Sequence, residues 1–398
     1  MAARNPAAIA IERLPERYRG GDPRLAGTRF RIHLGRIRRD VLIGRDSCEV
    51  VSSNEHDPDV EIRTDPETWL AMDAGTLSGI EAFGRRRLTM RGSIEKSLRF
   101  ETLFERPDEG GLRYSIETIH NGKVEVSALT AGPGDAPPLL LLHGLAATKA
   151  SWLTVVPQLA KRHRVVALDL PGFGRSSKPR GTYDAPWFAD QVRDVMDEMS
   201  IDRAFLAGNS MGGRVAMETA MRYPERVEAI ACLCPAAAFN RRPALWLVKL
   251  LRPELGMMAS RLPRGRIREA QHRLFADPSC IHESWYDAAI DDFLDTWRSP
   301  RSRRAFFTAL WNIYLDEPEG ENGFWARLGK MEAPALFIYG ECDRLITHHF
   351  ARKIAGTLPE AKVLVWDQCG HVPQIEFPDR TAREMLRFFD RAAATKIA

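Results

Sequence analysis

The second part of the chain alternates short apolar runs with helical patterns. Six runs rich in Leu, Val, Ile and Ala predict strands at 137–144, 164–170, 203–208, 228–234, 335–340 and 362–367. Such runs are typical of strands that are covered on both faces of a parallel sheet. Between two of them, apolar residues of 187–200 recur at the spacing of one helix face. This alternation predicts a doubly wound α/β domain with a mainly parallel sheet.

One stretch interrupts this rhythm. Residues 236–330 contain no comparable apolar strand run, and their pattern favours helices. We therefore expect a helical cap over 236–330, inserted between two strands of the sheet.

The first part of the chain has a different pattern. In 28–43, apolar residues alternate with charged ones such as Arg29 and Arg31, which favours a half-exposed antiparallel strand. The stretch 60–83 then predicts a strand followed by helices, with Asp65 placed to cap the first helix. This order is typical of a small α+β domain.

Composition changes along the chain suggest where the domains end. The stretch "FERPDEGGLRY" combines proline, glycines and charges, as linkers do. We therefore predict an α+β domain over 1–106, a linker over 107–113, and an α/β domain over 114–398.

Composition excludes several classes of protein. The chain has 398 residues, of which 44% are hydrophobic and 28% charged, as in soluble globular proteins. A net charge of +4 without basic–aromatic interleaving predicts no nucleic-acid partner. The six cysteines are scattered, without zinc-ligand spacing, and the start lacks the apolar core of a secretory signal. We therefore expect a cytoplasmic protein that holds no metal and needs no cofactor.

One serine has unusual neighbours. Ser210 lies between Gly208 and Gly212, directly after an apolar run and before a helical pattern. A tight turn from strand to helix would bring the neighbouring backbones together, and glycines avoid the resulting collisions. Such a turn holds a serine hydroxyl clear of the sheet. The N–H of Met211 would then face the place where a substrate oxygen gains negative charge.

A serine hydroxyl needs a base, and the base needs a group that orients it. Asp343 follows the strand predicted at 335–340, and His371 follows the one predicted at 362–367. The chain order is therefore Ser210, Asp343, His371, with the N–H of Leu145 as a second oxyanion donor. Asp367 and Asp379 are rival acids. His143 is expected to fix its loop rather than take part in the chemistry.

These residues carry a family resemblance. The motifs "GNSMGG" at 208–213, "DLPGFGRSS" at 169–177, "GECD" at 340–343 and "GHVPQIEFPD" at 370–379 resemble those of α/β-hydrolases. The resemblance covers about 113–398 and implies an α/β-hydrolase fold with a Ser-His-Asp triad. It points to the branch of lipases, esterases and meta-cleavage-product hydrolases. The last group usually has "GxGPG" after the first His-Gly, whereas this chain has "LAATKA".

The first part of the chain has its own resemblance. Residues 60–104, with a Trp-Leu helix and "AFGRRRLTMRG", resemble the sterol-carrier-protein type of lipid-transfer domain. In that family an α+β shell encloses an apolar tunnel for acyl chains or sterols.

Three functions remain open. The favoured one is a serine hydrolase for esters or thioesters of hydrophobic, acyl-lipid-like substrates. The alternatives are a carbon–carbon bond hydrolase of the meta-cleavage type, and a lipid carrier with an inactive hydrolase half. Between 241 and 273, nine basic residues accompany two acidic ones, which also suggests the hypothesis of peripheral membrane contact through the cap.

Overall fold

A computed structural model describes residues 5–20, 22–237, 252, 254 and 261–395. The chain divides into two compact units. The first comprises Met1–Ile116 and Ile281–Asp292, and the second comprises Glu117–Cys280 and Phe293–Ala398.

The first unit contains a five-stranded sheet. Its strands are β1 (Thr28–Leu34), β2 (Ile37–Ile43), β3 (Cys48–Ser52), β4 (Val60–Thr64) and β5 (Leu88–Gly92). The sheet order is β3-β2-β1-β4-β5, in which only the pair β1–β4 is parallel. The helices that precede or follow these strands are α1 (Pro6–Glu12), α2 (Pro66–Asp73), α3 (Gly79–Gly84) and α4 (Ile94–Thr102).

Local sequence explains these elements. Asp65 caps α2 by accepting a hydrogen bond from the Thr68 N–H at 2.8 Å, as the sequence predicts. The stretch 28–43 forms two strands rather than one, because Gly35 adopts φ +58° between them. The alternation also misplaces Arg31: its side chain is buried, since it pairs with Asp40 on the neighbouring strand at 2.8 Å.

The second sheet has eight strands, most of them parallel. They are β6 (Tyr114–Asn121), β7 (Val124–Ala131), β8 (Pro138–Leu142), β9 (Arg164–Leu168), β10 (Ala204–Asn209), β11 (Val227–Leu233), β12 (Ala335–Gly340) and β13 (Lys362–Trp366). The order is β13-β12-β11-β10-β8-β9-β7-β6. The six strands from β8 to β13 run parallel, whereas β7 pairs antiparallel with β9.

Helices connect these strands. Those described are α5 (Val156–Leu159), α6 (Ala185–Glu198), α7 (Met211–Arg222), α8 (Arg264–His272), α9 (Glu283–Trp297), α10 (Pro300–Tyr314), α11 (Phe324–Leu328), α12 (Phe350–Thr357), α13 (Pro373–Glu376) and α14 (Pro378–Thr395). In the described parts of the chain, no helix is long and apolar enough to span a membrane.

The predicted fold class is confirmed. All six apolar runs form strands of one parallel set, and the helical pattern of 187–200 belongs to α6. The described residues of 261–330 contain helices and no strand, as expected for the cap. Most of the apolar segment 245–258, together with the basic residues Arg241, Arg242 and Lys249, lies outside the described residues.

Candidate active site

Ser210 lies on a strained turn between β10 and α7. Its backbone adopts φ 54° and ψ −114°, a conformation that residues with a side chain rarely take. The turn is held because the Ser210 N–H donates to Leu233 O at 2.9 Å. The Ser210 carbonyl accepts from the N–H groups of Arg214 and Ala236. Three backbone hydrogen bonds thus fix Ser210 in this strained conformation.

The glycines around Ser210 are required by space. A Cβ at Gly208 would lie 2.2 Å from the carbonyl carbon of Gly212. A Cβ at Gly212 would lie 2.0 Å from Leu142 O on the adjacent strand β8. Both distances are shorter than any van der Waals contact. The predicted reason for the two glycines, close packing of strand and helix backbones, agrees with this geometry.

Asp343 and His371 form a buried pair. His371 Nδ1–H donates to Asp343 Oδ2 at 2.7 Å, and both side chains are less than 10% exposed. The other carboxylate oxygen accepts from the N–H groups of Leu345 and Ile346 at 2.8 and 2.9 Å. The carboxylate is therefore fixed by three hydrogen bonds, and it orients the imidazole ring.

The turn at Ser210 is joined to the loop of His371 through Asn209. The Asn209 amide nitrogen donates to His371 O at 3.0 Å and to Leu233 O at 3.1 Å. Ser210 Oγ itself lies 3.4 Å from the hydroxyl of Tyr314. In the described residues Ser210 Oγ makes no direct hydrogen bond with the His371 ring. The hydrogen bond between nucleophile and base is often long or absent in catalytic sites until a substrate binds.

The two predicted oxyanion donors lie beside Ser210. Met211 is the first residue of α7, where the helix dipole favours negative charge. Leu145 follows Gly144, at which a Cβ would lie 3.3 Å from the Ser210 Cβ. Within the described chain, neither of these N–H groups donates a hydrogen bond to another residue. Both are therefore available to a substrate oxygen.

His143 has a structural position. Its Nδ1–H donates to Gly144 O at 2.7 Å, and its Nε2 accepts from the Leu170 N–H at 2.9 Å. Burial lowers the pKa of His143, which favours the neutral ring that these two bonds require. The ring links two loops, as the sequence predicts.

Sequence reasoning missed a buried ion pair behind the Leu145 loop. Lys149 Nζ lies 2.8 Å from Asp169 Oδ2, and the Lys149 N–H donates to the other carboxylate oxygen. Burial raises the pKa of Asp169, but the Lys149 charge and the hydrogen bonds from Lys149 and the Arg175 N–H are among the contributions that together outweigh burial, so the pKa is lowered. A Cβ at Gly174 would lie 2.3 Å from this carboxylate carbon. The two partners belong to separate motifs, and no spacing rule links them.

One group of side chains has the composition of a metal site. Ligand atoms of Cys234, Asp343 and His371 lie within 4.8 Å of one another, the only such group found among the described residues. Burial raises the pKa of the Cys234 thiol well above its usual value, with a further contribution from Asp343. Two of the three groups, Asp343 and His371, are already joined by a hydrogen bond of 2.7 Å.

A small, partly open groove adjoins the loop that follows Leu145. The backbone of Ala146 and Ala147 and the turn at 172–174 line one side of it. Aromatic rings of α9 and α10 line the other side, namely Phe293, Trp297 and Phe306. No motif predicts this groove, because its residues come from four separate segments.

The sequence of the chain matches two known protein families. Residues 137–378 match the family described as alpha/beta hydrolase fold. The chain belongs to the α/β-hydrolase family. Residues 13–105 match the SCP-2 sterol transfer family, so an SCP2 domain precedes the hydrolase domain. Both resemblances found in the sequence are therefore confirmed.

Three curated relatives illustrate the range of this family. The chain is 31% identical over 254 residues to a dihydrolipoyllysine-residue acetyltransferase component of an acetoin cleaving system from Pseudomonas putida, with 63% of each chain covered. It is 30% identical to 2-hydroxymuconate semialdehyde hydrolase from Pseudomonas sp. strain CF600, covering 66% of this chain and 89% of the relative. It is 27% identical to pimeloyl-[acyl-carrier protein] methyl ester esterase from Aeromonas salmonicida, covering 64% and 96%.

A solved structure is also similar. A membrane phospholipase A, described as a bacterial virulence factor, superposes with a TM-score of 0.60 at 28% identity. The match covers 70% of this chain and 87% of that one. The chain is thus a hydrolase of the α/β fold with an SCP2 domain, and both esterases and meta-cleavage hydrolases are among its relatives.

Proposed function

We propose that the chain is a serine hydrolase that cleaves carboxylic esters of hydrophobic, acyl-lipid-like substrates, with Ser210, His371 and Asp343 as its catalytic triad. The observation that carries the proposal is the buried Asp343–His371 pair, joined through Asn209 to the strained turn of Ser210. Acyl transfer requires a serine nucleophile and an imidazole base that a carboxylate orients, and the strained turn and the Asp343–His371 pair support these roles.

In this proposal the triad works in two stages. Ser210 Oγ attacks the ester carbonyl while His371 Nε2 takes its proton, and the N–H groups of Leu145 and Met211 hold the oxyanion. His371 then gives the proton to the departing alcohol, which leaves an acyl group on Oγ. Water attacks this acyl-enzyme, its proton passes to His371, and the acid is released as Oγ regains a proton. Asp343 keeps the ring in the required orientation throughout.

Two observations support a hydrophobic acyl substrate. The groove beside the Leu145 loop is lined by Phe293, Trp297 and Phe306, and an aromatic lining favours apolar groups. The match of 13–105 to the SCP-2 sterol transfer family suggests that the first unit binds lipid-like molecules. The similarity to a methyl ester esterase supports the ester over other bonds.

A second candidate is hydrolysis of a carbon–carbon bond in a ring-cleavage product. The 30% identity to 2-hydroxymuconate semialdehyde hydrolase favours it. The same three residues would act, with water attacking a ketone intermediate or acyl-enzyme. The "LAATKA" sequence after Gly144 weighs against it, because meta-cleavage hydrolases usually have a glycine-rich sequence there.

A substrate comparison separates the two candidates. We expect the purified chain to hydrolyse p-nitrophenyl octanoate with a kcat/KM at least 100-fold higher than for 2-hydroxymuconate semialdehyde. The Ser210→Ala variant is the control, because any turnover that survives it does not come from this site. A reversed preference would favour the carbon–carbon hydrolase, and no turnover of either substrate would favour the lipid carrier.

A further inference from the structure

A second hydroxyl group lies at the candidate nucleophile. Tyr314 OH is 3.4 Å from Ser210 Oγ, within the outer range of a hydrogen bond. Tyr314 is the last residue of α10, in the part of the chain predicted as a cap. Nothing in the Ser-His-Asp chemistry requires a tyrosine there.

The segment that carries Tyr314 is anchored to the helix of Ser210. Two residues further on, Asp316 accepts a hydrogen bond at 2.6 Å from Arg214, one turn into α7. Arg214 is fully buried, and it also donates to Glu218 at 2.7 Å. On the other side of Tyr314, Asn312 donates to Thr182 O. Hydrogen bonds on both sides of Tyr314 therefore fix the segment that holds its phenol near the turn of Ser210.

The hydroxyl of Tyr314 can donate a hydrogen bond at neutral pH. Burial raises the pKa of Tyr314 above its usual value of about 10, so the hydroxyl keeps its proton at neutral pH. A neutral tyrosine offers one O–H donor, and a charged or partly charged oxygen is its strongest acceptor.

We propose that Tyr314 is a catalytic residue that donates a hydrogen bond to Ser210 Oγ as the acyl–Oγ bond breaks. The inference rests on the proposed function. In deacylation, water attacks the acyl carbon and gives its proton to His371. The C–Oγ bond then breaks, its electron pair moves onto Oγ, and His371 returns the proton to that oxygen. Tyr314 keeps its own proton and stabilises the charge that develops on Oγ.

The test is a burst experiment on the full-length Tyr314→Phe variant with p-nitrophenyl octanoate. This change removes one oxygen atom and keeps the ring. Because deacylation is the step that loses the donor, we expect kcat to fall at least tenfold, which corresponds to about 1.4 kcal/mol. KM should fall with it, while kcat/KM for acylation stays within about threefold. Stopped-flow traces should show a burst of about one nitrophenol per enzyme.

Tyr339→Phe is the matched control. Tyr339 OH is also buried, but it has no hydrogen-bond partner among the described residues and lies within β12. This variant should show the kcat and KM of the unmodified chain. A loss of activity there would mean that removal of any buried phenol perturbs the fold.

Two outcomes overturn the proposal. One is a Tyr314→Phe variant with unchanged kcat. The other is an equal fall in kcat and kcat/KM without a burst, which indicates a role in binding or folding rather than at Oγ. Failure of the proposed function would be recognised separately with the Ser210→Ala variant. If that variant kept the esterase activity of the unmodified chain, Ser210 would not be the nucleophile, whatever the result for Tyr314→Phe.

Discussion

The two units use buried charge in different ways. In the first unit, Arg31 and Asp40 face each other across the middle of β1 and β2. Arg29 and Ser53 also donate to Asp40, and Arg31 also donates to the carbonyls of Asn54 and His56. In the second unit, the buried carboxylate of Asp343 lies beyond the carboxyl end of β12. The first pair lies within a sheet, and residues of the segment that follows β3 supply further hydrogen bonds to it.

The position of the charge, more than its burial, distinguishes the two cases. Loops at the carboxyl ends of parallel strands converge at one edge of the sheet, so residues distant in sequence meet there. Asp343 meets His371 at that edge, and Asn209 ties the pair to the strained Ser210. A charge pair inside antiparallel strands stabilises a fold, whereas one at this edge can serve a reaction.

Asp343→Asn should have a severe effect on activity. The amide has nearly the same shape, but it favours the wrong imidazole tautomer, and kcat for p-nitrophenyl octanoate should fall roughly 10⁴-fold. Steady-state kinetics measure the fall, and circular dichroism should show an unchanged fold.

Asp367→Asn and Asp379→Asn are the controls for that result, because both side chains are exposed rival acids near the same loop. Each should keep kcat within about twofold. If kcat fell strongly in either control while Asp343→Asn stayed active, that other carboxylate would be the acid of the triad. The contrast between the buried carboxylates of the two units would then no longer hold.

Asp40→Asn should affect stability and leave activity unchanged. Removing the charge of Asp40 leaves Arg31 and Arg29 without their negatively charged partner, and breaking a buried pair in this way costs about 3–5 kcal/mol. Urea denaturation followed by circular dichroism measures this loss. The exposed Glu67, paired with Arg87, is the matched control, and Glu67→Gln should cost less than about 1 kcal/mol.

The stability of the Asp40→Asn variant should also depend less on pH at the acid end. Burial alone would raise the pKa of Asp40, but hydrogen bonds from Arg31, Ser53 and Arg29 lower it well below its usual value. Its stabilisation is therefore present above about pH 4 and lost as the pH falls below that. The Asp40→Asn variant should lack the part of the decrease in the free energy of unfolding that protonation of Asp40 causes. A variant as acid-sensitive as the unmodified chain, or one with reduced kcat, would contradict the structural role.

The sequence predicts the second unit better than the first for a physical reason. Strands buried on both faces give unmistakable apolar runs, and a nucleophile on a tight turn needs glycines at Gly208 and Gly212. Half-buried strands give weaker signals, so the alternation in 28–43 did not separate β1 from β2 or identify Arg31 as buried. Tyr314 was also missed, because its place at Ser210 depends on packing between segments about 100 residues apart.

The most direct test of the account is labelling with a fluorophosphonate probe, which reacts only with a serine that a neighbouring base activates. We predict one label per chain, located on Ser210 by peptide mass spectrometry, and none on Ser210→Ala. Labelling of the unmodified chain at another serine, or the absence of labelling in a folded protein, would contradict the assignment of Ser210 as the nucleophile.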